Sequence, residues 1–171
     1  QVTRLTPGVD VERCTCNGRC RTNCAKLQAE EECDEADVDC GNQRFQRHRD
    51  RLRVQHNEQK GAALHVTHHH AKDALVVEYR GEVLTRAAMQ KRVDMLGPKA
   101  WEYSMTLDVE GSRESEHLVL DATHYGSLAR FANHDCGGGN CYAARRKVKG
   151  RWRIGLFARE GLAAGAEVTY D

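Results

Sequence analysis

The residues with the clearest chemistry are cysteines, because six of the eight fall within one short stretch. These are Cys14, Cys16, Cys20, Cys24, Cys33 and Cys40. Thiols at this density either pair as disulfides in an oxidising compartment or hold a metal ion in a reducing one. Structural zinc takes four cysteine or histidine ligands in a tetrahedron. The stretch lacks a histidine pattern that would leave an open position on the metal, so we predict structural zinc.

The number of cysteines constrains the number of zinc ions. Two separate sites need eight ligands, so six thiols suit either one complete site with two ligands to spare or two ions sharing a thiolate. We predict two ions, with Asp37 as the seventh ligand and His48 as the alternative. Three disulfides are the competing interpretation. We favour zinc because the N-terminal residues lack the apolar run of a signal peptide.

Charge is unevenly distributed, although the formal net charge is only +1. An acidic block covers residues 30–39, and basic stretches cover residues 44–53 and 145–153. The basic stretches are equally compatible with contact to DNA phosphates and with a solvated face. Adjacent histidines at 68–70 cannot easily face one metal ion, so we interpret them as a surface turn.

The elements that must position these residues follow from hydrophobic periodicity and turn residues. Residues 10–42 hold few apolar side chains and need cross-links to fold, and residues 43–60 resemble a polar connector. Beyond them we predict strands over 74–79, 101–109, 118–120 and within 166–171, a hairpin over 145–158 turning at 149–150, and a helix over 84–96. The fold class is therefore α+β, mainly β, and no apolar run suffices to span a membrane.

Three later segments carry a family resemblance. They are EYRGEV at 78–83, RFANHDC at 130–136 and VTYD at 168–171. In this order they resemble the signatures of SET-domain protein lysine methyltransferases. DAT at 121–123 and RIGLFA at 153–158 match further family segments, and the cysteine cluster is similar to the AWS zinc module. The resemblance implies an AWS-like module over residues 10–46 and a SET domain over 47–171, with short strands and a knot-like C-terminal crossing.

The resemblance also implies roles for individual residues. Tyr103 and Tyr170 match tyrosines of the catalytic channel, and tyrosine at the second position favours lower methylation states. The S-adenosylmethionine contacts carry over to Lys60, Gly61, Ala62, Tyr103, Asn133 and His134. Arg130 and Glu82 match positions that we expect to be structural. In the family a further tyrosine and a cysteine-rich post-SET tail follow, and the sequence here ends at Asp171, ahead of both.

Methyl transfer from a sulfonium requires a neutral amine aimed at the methyl carbon, and a channel of tyrosines suits this need. The resemblance therefore implies a nuclear, chromatin-associated histone-lysine methyltransferase. Its partner would be a histone tail or nucleosome, with lysine 36 of histone H3 as the first expectation and a monomer as the expected state. Ala62 and Ala63 replace the aromatic and second glycine of the family's cofactor loop. A degenerate SET domain that binds chromatin without turnover is thus one alternative, and methylation of a non-histone protein is another.

Overall fold

The computed structural model describes residue 20 and residues 24–33, 40–58, 61–107 and 118–171. These residues form three α-helices: α1 (Ala25–Gln28), α2 (Arg44–Arg47) and α3 (Arg86–Leu96). The strands are β1 (Leu52–Asn57), β2 (Gly61–Val66), β3 (Leu75–Tyr79), β4 (Glu82–Thr85), β5 (Ser104–Thr106), β6 (Leu118–Asp121), β7 (Asn133–His134), β8 (Cys141–Val148), β9 (Arg151–Ala158) and β10 (Thr169–Tyr170). Short 3-10 helices cover Pro98–Tyr103 and Leu128–Phe131. None of the helices in the described ranges is long and apolar enough to cross a membrane.

The strands form small sheets that enclose one main core. The largest has the order β3-β9-β8-β10-β7, a second has the order β4-β6-β5, and β1 pairs with β2 alone. β8 and β9 are the predicted hairpin, paired from Cys141↔Ala158 to Val148↔Arg151 around the turn at 149–150. β3 supplies the buried Val76 and Val77 to the core, as expected for β-branched side chains in a covered strand. The α+β, mainly β prediction is confirmed.

The segment that follows the cysteines packs on the large sheet through one aromatic side chain. Phe45 of α2 meets the ring of Phe157 edge-on, with centroids 5.9 Å apart. A Cβ atom at Gly155 would lie 2.8 Å from Cζ of Phe45 and 2.4 Å from Cδ1 of Leu75. Glycine is therefore required at this point of β9, because any side chain would displace the groups that join α2 to the sheet.

Helix α3 is held against the small sheet by a partly buried ion cluster. The helix begins after Thr85, whose Oγ1 accepts a hydrogen bond from the backbone N–H of Ala88. Further along, Nη1 of Arg92 lies 2.6 Å from Oδ2 of Asp121 and 2.7 Å from Oε2 of Glu82. Burial opposes ionisation of Asp121, but hydrogen bonds from Thr123 and Arg92 outweigh it and lower the pKa of this carboxyl. Glu82 therefore has the structural role expected for it.

The structure corrects several local predictions. The predicted helix over 84–96 begins two residues later, because residues 84 and 85 end β4. The strand predicted over 101–109 starts only at Ser104, since Pro98 initiates a 3-10 helix that extends through Tyr103. The polar connector 43–60 contains α2 and β1; β1 pairs along its length with β2, and its side chains at 53–56 are exposed. Of residues 68–70, which were predicted to form a surface turn, His68 and His69 are exposed, whereas His70 is half-buried and forms a β-bridge with Leu162.

Candidate active site

The C-terminal strand passes between two parallel neighbours, and this crossing organises the site. β10 lies between β7 and β8 and runs parallel to both, with Thr169 opposite Asn133 and Tyr170 opposite both His134 and Cys141. Chain segment 135–140 joins β7 to β8 and therefore passes over β10. The predicted knot-like crossing is present.

Asn140 fastens this connecting segment to the strand beneath it. Its amide Nδ2 donates to the backbone oxygen of Glu167 at 2.7 Å, and its Oδ1 accepts from the backbone N–H of Thr169 at 3.0 Å. The backbone N–H of Asn140 donates to Oγ1 of Thr169 at 3.2 Å. At the other end of the segment, the N–H of Asp135 donates to the carbonyl of Tyr170 at 2.8 Å. Since β10 has only two residues, these contacts supply much of its attachment.

Gly139 is the point at which the segment and the strand come closest. A Cβ atom at Gly139 would lie 2.6 Å from Cα of Tyr170 and 2.7 Å from its backbone nitrogen. Its φ of 55° is also positive. Both observations require glycine here, because the clashing atoms belong to the backbone and cannot rotate away. The segment over β10 is thus tightly packed at this position.

Three tyrosines gather beside the crossing. Tyr103, at the end of its 3-10 helix, has the guanidinium of Arg130 4.6 Å above its ring centroid. Tyr170 is half-buried, and burial raises the pKa of its phenol. Tyr79 is buried at the end of β3, where burial, followed by the proximity of Tyr170, raises its pKa. Tyr79 belongs to the main core and Tyr103 and Tyr170 pack against that core. Both predicted catalytic tyrosines lie close enough to Tyr79 to act electrostatically on its phenol.

Tyr79 is the member of this cluster that the sequence analysis did not assign. It stands in the EYRGEV motif, whose resemblance alone gave the tyrosine no role. A usable signal was available, because a tyrosine that ends a buried strand must place its hydroxyl near other polar groups. Tyr79 interacts electrostatically with Tyr170, Arg130 and Tyr103 in turn.

The predicted cofactor residues lie around the same crossing. Nδ2 of Asn133 donates to Oε1 of Glu167 at 2.9 Å. His134 is exposed, and its ring meets that of Tyr170 edge-on, with centroids 6.4 Å apart. A bridge between His65 and Glu167 connects β2 to the segment leading into β10. Because this bridge is antiparallel, β2 runs opposite to the segment that leads into β10. The first residues of β2 therefore lie on the side toward which β10 continues.

Gly61 and Ala62, at that start of β2, are half-buried and pair with residues 57 and 56 of β1. Lys60 lies outside the described residues. One buried donor near the tyrosines finds no partner within the described part of the chain, since Nε of Arg130 makes no hydrogen bond there. The guanidinium stacks on the ring of Tyr103, and the expectation that Arg130 is a structural residue of the crossing stays a prediction.

Three cysteines converge at a separate, buried position. The Sγ atom of Cys20 lies 3.0 Å from that of Cys40 and 3.6 Å from that of Cys33, within a group compact enough to hold a metal ion. Thiolates around one tetrahedral zinc stand about 3.8 Å apart, since each Zn–S bond is about 2.3 Å. Asn42 directs its backbone N–H at Cys40 and its Nδ2 at Cys33, each at 3.4 Å. The donor set and its buried surroundings therefore fit zinc.

The other predicted zinc ligands lie in three different situations. Cys24 is fully buried beside the three converging cysteines. Cys14, Cys16 and Asp37 lie outside the described residues. His48, the alternative ligand, instead pairs its Nε2 with Oδ1 of Asp50 at 3.0 Å.

The described part of the acidic block is engaged locally. Glu30 pairs with Arg145 at 3.3 Å, and Glu31 pairs with Lys26 at 3.6 Å. Oε1 of Glu32 accepts a hydrogen bond from the backbone N–H of Phe45. In this part of the block the acidic groups therefore offset neighbouring cations and cap a neighbouring helix.

Comparison with known proteins agrees with this geometry. The family model described as the SET domain matches residues 61–171. A Schizosaccharomyces pombe protein named "Histone-lysine N-methyltransferase, H3 lysine-36 specific" is 36% identical over 158 residues, which are 88% of this chain and 19% of that protein. Human "Histone-lysine N-methyltransferase SETD2" is 30% identical over 158 residues, covering 91% of this chain and 6% of that protein. The chain thus spans less than a fifth of these two relatives.

A solved structure gives the same result for the fold. The chain superposes with a TM-score of 0.77 on a chain of a structure titled "Crystal structure of an active polycomb repressive complex 2 in the basal state". The match covers 93% of this chain and 24% of that one, at 23% sequence identity, and so supports the fold alone. With the family model covering residues 61–171 and the crossing in place, the chain belongs to the SET-domain family.

Proposed function

We propose that this chain is the catalytic domain of an S-adenosylmethionine-dependent histone-lysine N-methyltransferase. The observation that supports this most directly is the gathering of Tyr79, Tyr103 and Tyr170 beside the C-terminal crossing. Phenol rings can enclose the apolar stem of a lysine and orient its terminal nitrogen, which an in-line methyl transfer requires.

The tyrosines orient the amine rather than deprotonate it. A free lysine has a pKa near 10.4, so the reacting fraction at neutral pH is small unless the site desolvates the amine. Burial raises the pKa of Tyr170 and of Tyr79, so both phenols remain neutral at physiological pH. A neutral phenol can donate or accept a hydrogen bond, but it is a weak base. We therefore assign alignment and desolvation to the tyrosines, and loss of the lysine proton to water.

The cofactor would lie beside the C-terminal crossing, next to β7, as the resemblance implies. S-adenosylmethionine supplies the methyl group on a sulfonium. Gly61, Ala62 and Lys60 would contact it from one side, and Asn133 and His134 from the other, as the resemblance implies. The Nε–H of Arg130, which no described residue satisfies, is a buried donor for a polar group of a ligand.

Lysine 36 of histone H3 is the proposed substrate. It is the residue in the printed names of the Schizosaccharomyces pombe relative and of similar fungal proteins. We accordingly propose nucleosomes as the partner, a nuclear and chromatin-associated location, and a monomeric enzyme. Sedimentation of the purified protein at several concentrations tests the monomer.

A methylation assay with the full-length protein tests the activity. Recombinant nucleosomes are incubated with S-adenosylmethionine labelled in its methyl group, beside nucleosomes carrying arginine at position 36 of histone H3. Tyr103→Phe removes one hydroxyl and is expected to lower turnover about a hundredfold, within the range for a lost positioning contact. Tyr125→Phe is the matched control, because Tyr125 is 74% exposed and should leave turnover unchanged.

The alternatives give different outcomes in the same experiment. Equal labelling of both kinds of nucleosome would show that a residue other than lysine 36 is methylated. Labelling only in a cell extract would indicate a non-histone substrate. Calorimetric titration with S-adenosylmethionine separates the remaining case. A protein that binds nucleosomes but shows no heat of cofactor binding is a chromatin-binding module, and the enzyme proposal would then be wrong.

Tyr170 is proposed to limit the number of methyl groups added. Its phenol stands beside His134 at the crossing, where a hydroxyl and its bound water take up space. Tyr170→Phe should therefore raise the proportion of di- and trimethyl-lysine, read by mass spectrometry of the histone. An unchanged distribution of methylation states would show that Tyr170 does not limit the number of methyl groups added.

DNA contact is proposed for the place where the two basic stretches meet, which is the β8–β9 hairpin together with Arg44 at the start of α2. The guanidinium groups of Arg44 and Arg146 lie 5.9 Å and 5.5 Å from the same ring centroid, that of Phe157. Nucleosome affinity should fall as salt rises, and each lost phosphate contact should reduce the slope by about one unit. Arg151→Gln, at the exposed start of β9, tests the contribution of the hairpin.

Zinc is proposed for the cysteine-rich segment, with two ions held by the six cysteines and Asp37. Elemental analysis of the purified protein should give zinc that strong chelators remove and reductant does not. Cys33→Ser should lower the zinc content, whereas Cys141→Ala, outside the cluster, should not. Zinc content unchanged by Cys33→Ser would place the metal elsewhere.

A further inference from the structure

A strongly basic cavity lies away from the tyrosines, at the opposite end of β3. It is open to solvent, has a volume of about 550 Å³, and lies between α2 with the residues after it and residues 69–75. Leu75, at the start of β3, lines the cavity, while Tyr79 ends the same strand. From Leu75 to Tyr79 the extended strand advances by four residue steps, which is about 13 Å. The cavity is therefore separate from the proposed methyl-transfer site.

Its cationic side chains converge from two segments of the chain. The cavity is lined by Arg44, Arg47, Arg49, Arg51 and Lys72, together with histidines of both segments. Asp73 is the one carboxylate among the described lining residues, and its Oδ1 accepts a hydrogen bond from the hydroxyl of Tyr142 at 3.1 Å.

The four arginines of this cavity differ from Arg92 in how their charge is compensated, whereas Lys72 pairs with Glu160 at 3.1 Å. Among the described residues, none of the four arginines has a carboxylate within ion-pair distance. Arg49 donates to the backbone oxygen of His48, and Arg44 lies over an aromatic ring. Arg92, in contrast, has carboxylates within 2.7 Å. Closely spaced like charges are unfavourable unless an anion is bound between them.

The shape and lining of the cavity favour a compact ligand. Guanidinium groups bind phosphate through two parallel hydrogen bonds, and several of them converging suit several phosphates held close together. No tyrosine, tryptophan or phenylalanine of the described ranges lines the cavity, so a nucleobase would have no stacking surface of that kind there. Duplex DNA distributes its charge along an extended backbone and needs a correspondingly extended face. We propose that this cavity binds a compact polyphosphate, a small anion with several neighbouring phosphate groups.

Calorimetric titration of the full-length protein with inorganic tripolyphosphate and with inositol hexakisphosphate tests the proposal. At about physiological salt, one equivalent should bind in a saturable manner. Arg47→Gln with Arg51→Gln should weaken binding at least tenfold, because two charge-assisted contacts to phosphate are lost. Arg86→Gln with Lys91→Gln is the matched control. It removes the same charge from the exposed face of α3 and should leave the affinity within about twofold.

A second pair of measurements keeps the result interpretable. Circular dichroism establishes that each variant is folded, and Arg47→Lys with Arg51→Lys keeps the charge but loses the forked geometry, so its affinity should lie in between. Absence of saturable binding, or equal weakening by the α3 control, would overturn the proposal. A short DNA duplex provides a further test. If it displaced tripolyphosphate, and if the cavity variant lost as much affinity for the duplex as for tripolyphosphate, the cavity would be part of a DNA surface and the proposal would be overturned. Because none of these readouts requires methyl transfer, the result is independent of the proposed activity.

Discussion

Replacing Gly139 by alanine should loosen the crossing that positions Tyr170. The added Cβ would lie 2.6 Å from Cα of Tyr170 and 2.8 Å from the carbonyl oxygen of Thr169. Since both are backbone atoms, the segment over β10 must move away, which strains the three hydrogen bonds made by Asn140. Overpacking of this kind costs about 1–3 kcal/mol, and positive φ adds roughly 1–2 kcal/mol for a residue with a Cβ. We expect a loss of about 3–4 kcal/mol in the free energy of unfolding.

Gly138→Ala separates the clash from the backbone strain. Gly138 has a φ of 106°, further from the left-handed region than the 55° of Gly139, yet a Cβ added to Gly138 would have no neighbour within 4 Å among the described residues. Backbone strain alone therefore predicts that Gly138→Ala is the more damaging change, and the clash predicts the reverse. Urea denaturation followed by circular dichroism gives both free energies, and cofactor titration reports the effect on the site. If Gly139→Ala were no less stable than Gly138→Ala, the close approach at the crossing would not be a determinant of stability.

Three further measurements address other parts of the molecule. Arg92→Leu should lower the free energy of unfolding by about 3 kcal/mol at pH 7, since it removes the ion-pair partner of a fully buried carboxylate, whereas Lys72→Leu should leave it essentially unchanged because the ion pair of Lys72 is exposed. The cost of Arg92→Leu should narrow as the solution becomes acidic, because the unpaired carboxylate of the variant is protonated first and that of the unsubstituted protein, whose pKa is lowered, only at more acidic pH; a constant cost down to pH 2 would contradict the assignment. Iodoacetamide at pH 8 should alkylate the exposed Cys136 and spare Cys141, because burial raises the pKa of the Cys141 thiol to about 12; modification of both at similar rates would show that β8 opens readily. Asn140→Ala should cost about 2–3 kcal/mol through its lost side-chain bonds, and a cost below about 1 kcal/mol would assign the attachment of β10 to other contacts.

The sequence was informative where its patterns are local. The hairpin over 145–158 was predictable from alternating residues around Lys149-Gly150, and the structure places the turn at those two residues. Helix α3 was predictable from its periodicity, but its start was not, because pairing of β4 with β6 retains Leu84 and Thr85 in a strand. The 3-10 helix before Tyr103 was missed because an alternating pattern also suits a strand.

The site was predictable only through the family resemblance. Tyr79, Tyr103 and Tyr170 come from three separate elements, and no periodicity relates their positions. Contacts between segments far apart in sequence depend on tertiary packing, which local propensity does not encode. The basic cavity is a similar case, since its arginines lie in a visible run but Lys72 reaches it from another segment.

The position of Tyr170 depends more on the segment above it than on its own strand. β10 has two residues, too few for strand pairing alone to hold a side chain in place. Asn140 and the N–H of Asp135 attach it from above, and Gly139 allows the approach that makes those bonds possible. A site built in this way is sensitive to substitutions that contact neither cofactor nor substrate. Gly139→Ala should therefore weaken cofactor binding even under conditions in which most of the protein remains folded, and stability and binding should fall together across variants of residues 135–140.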